Sequence, residues 1–210
     1  MLWALVPLKQ VTLSKQRLGP VLAPEERKGL VLAMASDVLT VVRQHAAIDG
    51  VLLVSRAPEA RQLAHDCDVE LFAESAGADL SQALTEASQH VVRHHGASAT
   101  LVIPGDVPLI RNDDITTLTR QHQHITLVPD NSGEGTNALM LTPPDIIGYA
   151  FGERSFRQHM ESSSTAGIEP LVVRNTRFEH DIDDPDDLHR LLSDLPQSAT
   201  RDYLRSSGLA

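Results

Sequence analysis

The chain has 210 residues, enough to bury the core of one α/β domain and short for two independent ones. Apolar residues at 41% and charged residues at 22% exclude a disordered or fibrous chain, and aromatics at 3% put the core on Leu, Val, Ile and Ala. A formal net charge of -10 argues against a nucleic-acid contact surface, which needs clustered Lys and Arg, but leaves room for a small phosphorylated ligand where basic groups gather locally.

Short apolar runs alternate with helical patterns, the sign of a mostly parallel sheet covered by helices. Leu2 to Leu8 reads as the first strand, and a loop runs from Lys9 to Gly19. Pro24-Glu25-Glu26 starts a helix, with proline in the first turn and acids at the positive end of the dipole. Leu30, Val31, Met34, Ala35, Val38, Leu39 and Val42 recur at helical spacing, which carries that helix to about Arg43 with one face on the sheet. Val51 to Val54 is a second strand, Pro58 to Asp66 a short helix and Val69 to Phe72 a third strand. Asp79 is placed to cap a helix that ends at His95, with Gly96 as its stop.

Thr100 to Pro104 is a buried strand that breaks off into Gly105-Asp106-Val107-Pro108-Leu109, where an open α/β sheet places its ligands. Asn112-Asp113-Asp114 caps the next helix, and Ile125 to Val128 and Ala138 to Leu141 are strands. Between those strands, residues 130–137 read as a polar, glycine-rich loop. Phe156 to Met160 is helical, Leu171 to Val173 a strand, and Asp184-Pro185 opens a helix through Leu192, followed by a short helix or arm after Pro196. The lone Cys67 excludes an internal disulfide and reads as a buried free thiol. No segment approaches a membrane span, and the apolar N-terminus lacks the basic region of a signal peptide, so a cytoplasmic location is the expectation.

Four constellations carry chemistry. Lys9, Lys15 and Arg17 gather in the loop after the first strand, before Gly19-Pro20, a seat for phosphates or simply a solvated loop. Asp106, and the run Asp181-Ile182-Asp183-Asp184-Pro185, offer carboxylates that suit magnesium if the fold joins them. Taken singly, Asp106 also suits a turn brace and Asp184 a helix cap. Gly133-Glu134-Gly135-Thr136-Asn137, with Gly152 and Ser155, offers close backbone approach and hydroxyl donors to an anion, or an unliganded flexible loop. His94, His95, His122 and His124 are given no catalytic role and are expected on a surface helix or loop.

Jointly these motifs resemble the 2-phospho-L-lactate guanylyltransferase family of coenzyme F-420 biosynthesis. The resemblance runs through Pro7-x-Lys9, Lys15-x-Arg17-Leu18, Pro24-x-Glu26-Arg27, Gly105-Asp106-Val107-Pro108-Leu109, Gly135-Thr136-Asn137-Ala138-Leu139, Phe151-Gly152-x-x-Ser155-Phe156, Asp181-Ile182-Asp183-x-Pro185-x-Asp187-Leu188 and Thr200-Arg201-Asp202-Tyr203. It implies an α/β, single-domain, Rossmann-like nucleotidyltransferase (glycosyltransferase-A-like) over residues 1–210, with a mostly parallel central sheet. It further implies GMP transfer from GTP to 2-phospho-L-lactate, phosphoenolpyruvate or 3-phosphoglycerate with release of pyrophosphate. By the same carry-over, Pro7, Lys9, Lys15, Arg17 and Ser81 take the nucleotide, Asp106 with Asp181 or Asp183 holds Mg2+, and Thr136, Gly152 and Ser155 take the acid. Lys15, Arg17 and Asp106 are then the catalytic set. Gln16 stands where the family usually has Ser, and the segment Asp79 to Leu84 departs from a stretch where it often has Asn. A related transferase for a molybdopterin, sugar phosphate or methylerythritol phosphate, and an inactive nucleotide-binding regulator, are the alternatives. The acceptor's identity and the oligomeric state, a homodimer included, stay open.

Overall fold

The computed structural model describes residues 1–8, 15–174, 176–194 and 197–208. Among them, a seven-stranded sheet runs in the order β3-β2-β1-β4-β6-β5-β7. The strands are β1 (Leu2–Pro7), β2 (Gly50–Val54), β3 (Glu70–Phe72), β4 (Ala99–Val102), β5 (Ile125–Pro129), β6 (Thr136–Leu141) and β7 (Leu171–Val172). The helices are α1 (Pro24–Gln44), α2 (Ala60–Asp66), α3 (Leu80–His95), α4 (Asn112–Gln121), α5 (Ser155–Thr165), α6 (Thr176–Glu179), α7 (Pro185–Asp194) and α8 (Ala199–Ser206). All strands run parallel except β6, which pairs antiparallel with both β4 and β5.

The central strands are apolar on both faces because helices cover both faces, as a parallel sheet requires. Along β1, Leu2, Ala4 and Val6 join one core, while Trp3 and Leu5 join the other, the period of two expected of a strand. The first core is closed by α1, α2, α4, α7 and α8, and the second by α3 and α5. The apolar stripe read along α1 is the one the structure buries. At α3, Asp79 accepts a hydrogen bond from the Gln82 N–H at 2.8 Å, and Gly96 closes the helix in the left-handed region at φ 65°.

Several sequence expectations are corrected. Of Asn112-Asp113-Asp114 it is Asp114 that caps α4, accepting from the Arg111 N–H at 2.8 Å, while Asn112 is already the first helical residue. Thr136 and Asn137 are not loop but the start of β6, where Thr136 pairs with Pro129. Helix α5 continues to Thr165 through a Ser/Thr run of low helix propensity, and α6 has no counterpart in the sequence reading. Cys67 is only half-buried, and burial raises its thiol pKa. His122 sits half-buried in the loop that follows α4, its ring between the hydroxyls of Thr126 and Thr142, at 2.8 and 2.9 Å. Among the described residues, no helix is long and apolar enough to cross a membrane.

The last helix is a strap over the first. Asp37 of α1 accepts from the N–H groups of Ala199 and Thr200, at 2.7 and 2.9 Å, placing a carboxylate on the positive end of α8. Tyr203 donates its hydroxyl to the Glu26 carbonyl at 3.0 Å and lies across Gly29, where a Cβ would fall within its ring. Gly29→Ala is therefore expected to push Tyr203 off α1 and to cost about 1–3 kcal/mol, the usual range for overpacking. Thermal unfolding checks this: Gly29→Ala should melt lower, and Tyr203→Leu in the same chain should recover most of the loss. An unchanged melting temperature would show that the approach is not close.

Candidate active site

The strand order places β2 and β3 on one side of β1 and β4 on the other, so the connections diverge between β1 and β4. Outside the carboxyl ends of such a pair lies the crevice that open α/β sheets use for ligands. Because β6 is reversed, its first residues reach that same edge, and the β5–β6 turn hangs over it. A cavity of about 410 Å³ occupies the place, within the roughly 300–1,000 Å³ typical of small-molecule sites.

One wall is acidic. Asp106 follows β4, and the Ile182 N–H donates to its backbone carbonyl at 3.2 Å, fastening the distant Asp181-Ile182-Asp183 run beside it. The run is braced from behind, since Asp184 caps α7 by accepting from the N–H groups of Asp186 and Asp187 while Asp187 accepts from those of Asp183 and Asp184. Lys15 enters from the β1 side in a left-handed backbone conformation, φ 56°, which is uncommon outside glycine and often marks functional sites. Its Nζ lies 2.6 Å from Asp106 Oδ2 and 2.6 Å from Asp183 Oδ1, with the side chain 7% exposed. Burial opposes its charge, but the two carboxylates outweigh burial and raise its pKa. Asp181 receives a hydrogen bond from Asn137 Nδ2 at 3.2 Å, yet burial first, then the charge of Asp106, push its pKa up to about 6, with Asp183 adding to the rise.

Oxygens of Asp106, Asp181 and Asp183 lie within 4.8 Å of one another. Among the described residues that line the cavity, these three and Asp130 carry the acid and Lys15 alone the base. Such a wall repels an anionic ligand unless a cation enters with it. The donor set is all carboxylate oxygen, which suits a hard divalent cation such as Mg2+.

The opposite wall is built from hydroxyls and backbone. Thr136 begins β6, Ser155 begins α5, and Gly152, at φ 138°, turns the chain between them. Ser155 Oγ donates to Thr136 Oγ1 at 3.2 Å, and both residues are almost fully buried. A Cβ at Gly135 would meet the Asp130 carboxylate at 2.6 Å, so a side chain there would displace that carboxylate.

The structure thus brings together Pro7, Lys15, Asp106, Thr136, Gly152, Ser155, Asp181 and Asp183 from the sequence reading. Lys9 falls outside the described residues. Arg17 is exposed and does not line the cavity. Ser81 is not on its wall either: its hydroxyl donates to the Phe151 carbonyl at 3.2 Å and accepts from the Phe151 N–H at 2.9 Å, tying α3 to the loop before Gly152. His94, His95, His122 and His124 are likewise absent from the wall. The sequence reading quoted Asn137 and Phe151 within its motifs but gave neither a role, gave none to Asp130, and missed the buried His159 behind the wall. His159 had a signal, since it stands one helical turn after Ser155 and shares its face.

The sequence matches the family described as guanylyl transferase CofC like over residues 2–210. It is 34% identical over 201 residues to a phosphoenolpyruvate guanylyltransferase of Sphaerobacter thermophilus, covering 95% of this chain and 96% of that one. It is 29% identical to a 2-phospho-L-lactate guanylyltransferase of Methanothermobacter thermautotrophicus, covering 96% and 89%. The solved structure of a protein assigned as a nucleotide-diphospho-sugar transferase from Desulfovibrio desulfuricans G20 superposes with a TM-score of 0.78 at 19% identity, over 99% of this chain and 95% of that one. At that identity the likeness is one of fold.

Proposed function

The chain belongs to the CofC-like guanylyl transferase family, and from that premise we propose that it transfers GMP from GTP to a small phosphorylated carboxylic acid and releases pyrophosphate. The observation that carries this reading is a single cavity with three carboxylates and a buried lysine on one wall, and two hydroxyls with a turning glycine on the other. The first wall suits a triphosphate accompanied by Mg2+, the second a small acid.

In this reaction an oxygen of the acceptor phosphate attacks the α-phosphorus of GTP as the bond to the β-phosphate oxygen breaks, and pyrophosphate carries away the electron pair. The attacking phosphate is already anionic near neutral pH, so no general base is needed, and the residues act by orientation and charge compensation. Asp106, Asp181 and Asp183 would hold the Mg2+, which offsets charge on the reacting phosphoryl group when bound. Lys15 supplies a fixed positive charge at the same wall. Thr136, Gly152 and Ser155 orient the acid from the other side. On this reading the enzyme is a cytoplasmic step of coenzyme F-420 assembly, and phosphoenolpyruvate is the first acid to test, since the relatives at 34% identity carry its name.

The test is pyrophosphate release by purified protein with GTP, Mg2+ and each of phosphoenolpyruvate, 2-phospho-L-lactate and 3-phosphoglycerate in turn. One acid should dominate, and ATP in place of GTP should be used far less efficiently. Equal efficiency with ATP would overturn the guanylyl assignment, and turnover with none of the acids would overturn the acceptor class.

A further inference from the structure

His159 is fully buried on α5, directly behind the hydroxyl wall, and none of the roles assigned so far uses it. The Ala150 N–H donates to its Nε2 at 3.0 Å, so that nitrogen carries a lone pair and no proton. Burial lowers its pKa to about 4, so near neutral pH the ring is uncharged and its one N–H sits on Nδ1. Nδ1 lies 3.1 Å from Thr136 Oγ1 and donates to it. Ser155 Oγ donates to the same oxygen at 3.2 Å. A hydroxyl has two lone pairs and one proton, and here both lone pairs are taken from the protein side. The Thr136 proton is left as the group's only unspent hydrogen-bonding capacity, on a residue that lines the cavity.

We propose that His159 is a positioning residue: its Nδ1–H, fixed by the Ala150 N–H on Nε2, makes Thr136 a hydrogen-bond donor aimed at the acid substrate. With the opposite tautomer Thr136 would donate back to the ring and present a lone pair to an anion, which repels it. The Ala150 contact therefore sets the polarity of a relay that runs from backbone to imidazole to hydroxyl to substrate. The inference rests on the reading that the Thr136 wall takes the acid. His159 also packs edge-on against Phe151, at 5.1 Å between ring centres, so a purely packing role must be separated from the relay.

Two measurements do so. In protein labelled with 15N histidine, the His159 signal, identified among the chain's 10 histidines by its loss in His159→Asn, should show a protonated Nδ1 and an unprotonated Nε2. A protonated Nε2 overturns the proposal. In pyrophosphate-release kinetics, His159→Phe should raise the apparent KM for phosphoenolpyruvate by about tenfold or more with the KM for GTP unchanged, and His159→Asn, whose amide N–H can replace Nδ1–H, should recover most of the loss. In a Thr136→Val background, which already lacks the hydroxyl, His159→Phe should add less than about a twofold change. A full additive effect in that background overturns the relay and leaves the acid wall standing. If Thr136→Val instead weakens GTP and spares phosphoenolpyruvate, the acid reading falls and the proposal with it, while the nitrogen shifts still report the tautomer.

Discussion

Asp106→Asn should reduce turnover by roughly a hundredfold to a thousandfold while leaving the fold intact. The substitution is isosteric, and the link that fastens residues 181–183 to this loop uses the Asp106 backbone carbonyl, which the variant keeps. What is lost is one of the three carboxylates whose oxygens cluster within 4.8 Å, together with a partner of Lys15. A loss realised on the reacting phosphoryl group should appear in kcat and in kcat/KM alike. Chelation of divalent metal should abolish wild-type turnover, and Mg2+ should restore it, whereas the variant should recover little at any Mg2+ concentration. Wild-type kcat in the variant at saturating Mg2+ would remove Asp106 from the metal site.

Lys15→Met should reduce kcat by roughly a hundredfold, as expected when a fixed charge beside the reacting phosphate is deleted. Among the described residues lining the cavity it is the one base set against four acids, and its ammonium touches two of them at 2.6 Å. Without it, Asp106, Asp183 and the already raised Asp181 repel one another with no fixed counter-charge. Lys15→Arg should not rescue, because a planar guanidinium on a different stem cannot meet both carboxylates from a left-handed residue with the geometry of a compact ammonium. Circular dichroism separates this from unfolding. A Lys15→Met enzyme within about threefold of wild type would leave Lys15 a structural strut between Asp106 and Asp183.

Much of this architecture was legible in residue order. Apolar runs bounded by glycine, proline and polar residues located the strands, and the spacing from Leu30 to Val42 located α1 and its buried face, because burial on a sheet leaves a periodic trace. Asp79 and Gly96 were readable as caps because each acts through its own local chemistry. Strand direction left one trace that the reading did not use, since residues 130–135 are too few to connect parallel neighbours. The reversal of β6 comes from pairing with β4 and β5, and the polar Thr136 and Asn137 at its start look like loop because they face a cavity and not a core. The site residues were found as types but not as contacts. Nothing local in Ser81 says that its hydroxyl is consumed by the Phe151 backbone, or in Arg17 that it does not line the cavity. His159 entered no motif of the sequence reading, and only the Ala150 N–H on its far side gives it a direction.

On the proposed function, the reversed strand also separates the two specificities along the chain. The wall proposed for the triphosphate is stitched together from β1, the loop after β4 and the run before α7, so a change in any one piece disturbs the others. The wall proposed for the acid is one uninterrupted stretch from the β5–β6 turn to the first turns of α5, residues 130–159, anchored at its far side to the sheet. A segment of that kind can be exchanged as a cassette. Grafting it from a relative that uses a different phosphorylated acid, with Asn137 kept because it donates to Asp181, should transplant the acceptor preference with the nucleotide preference untouched, and the same modularity offers natural lineages a short mutational path from one acid to another.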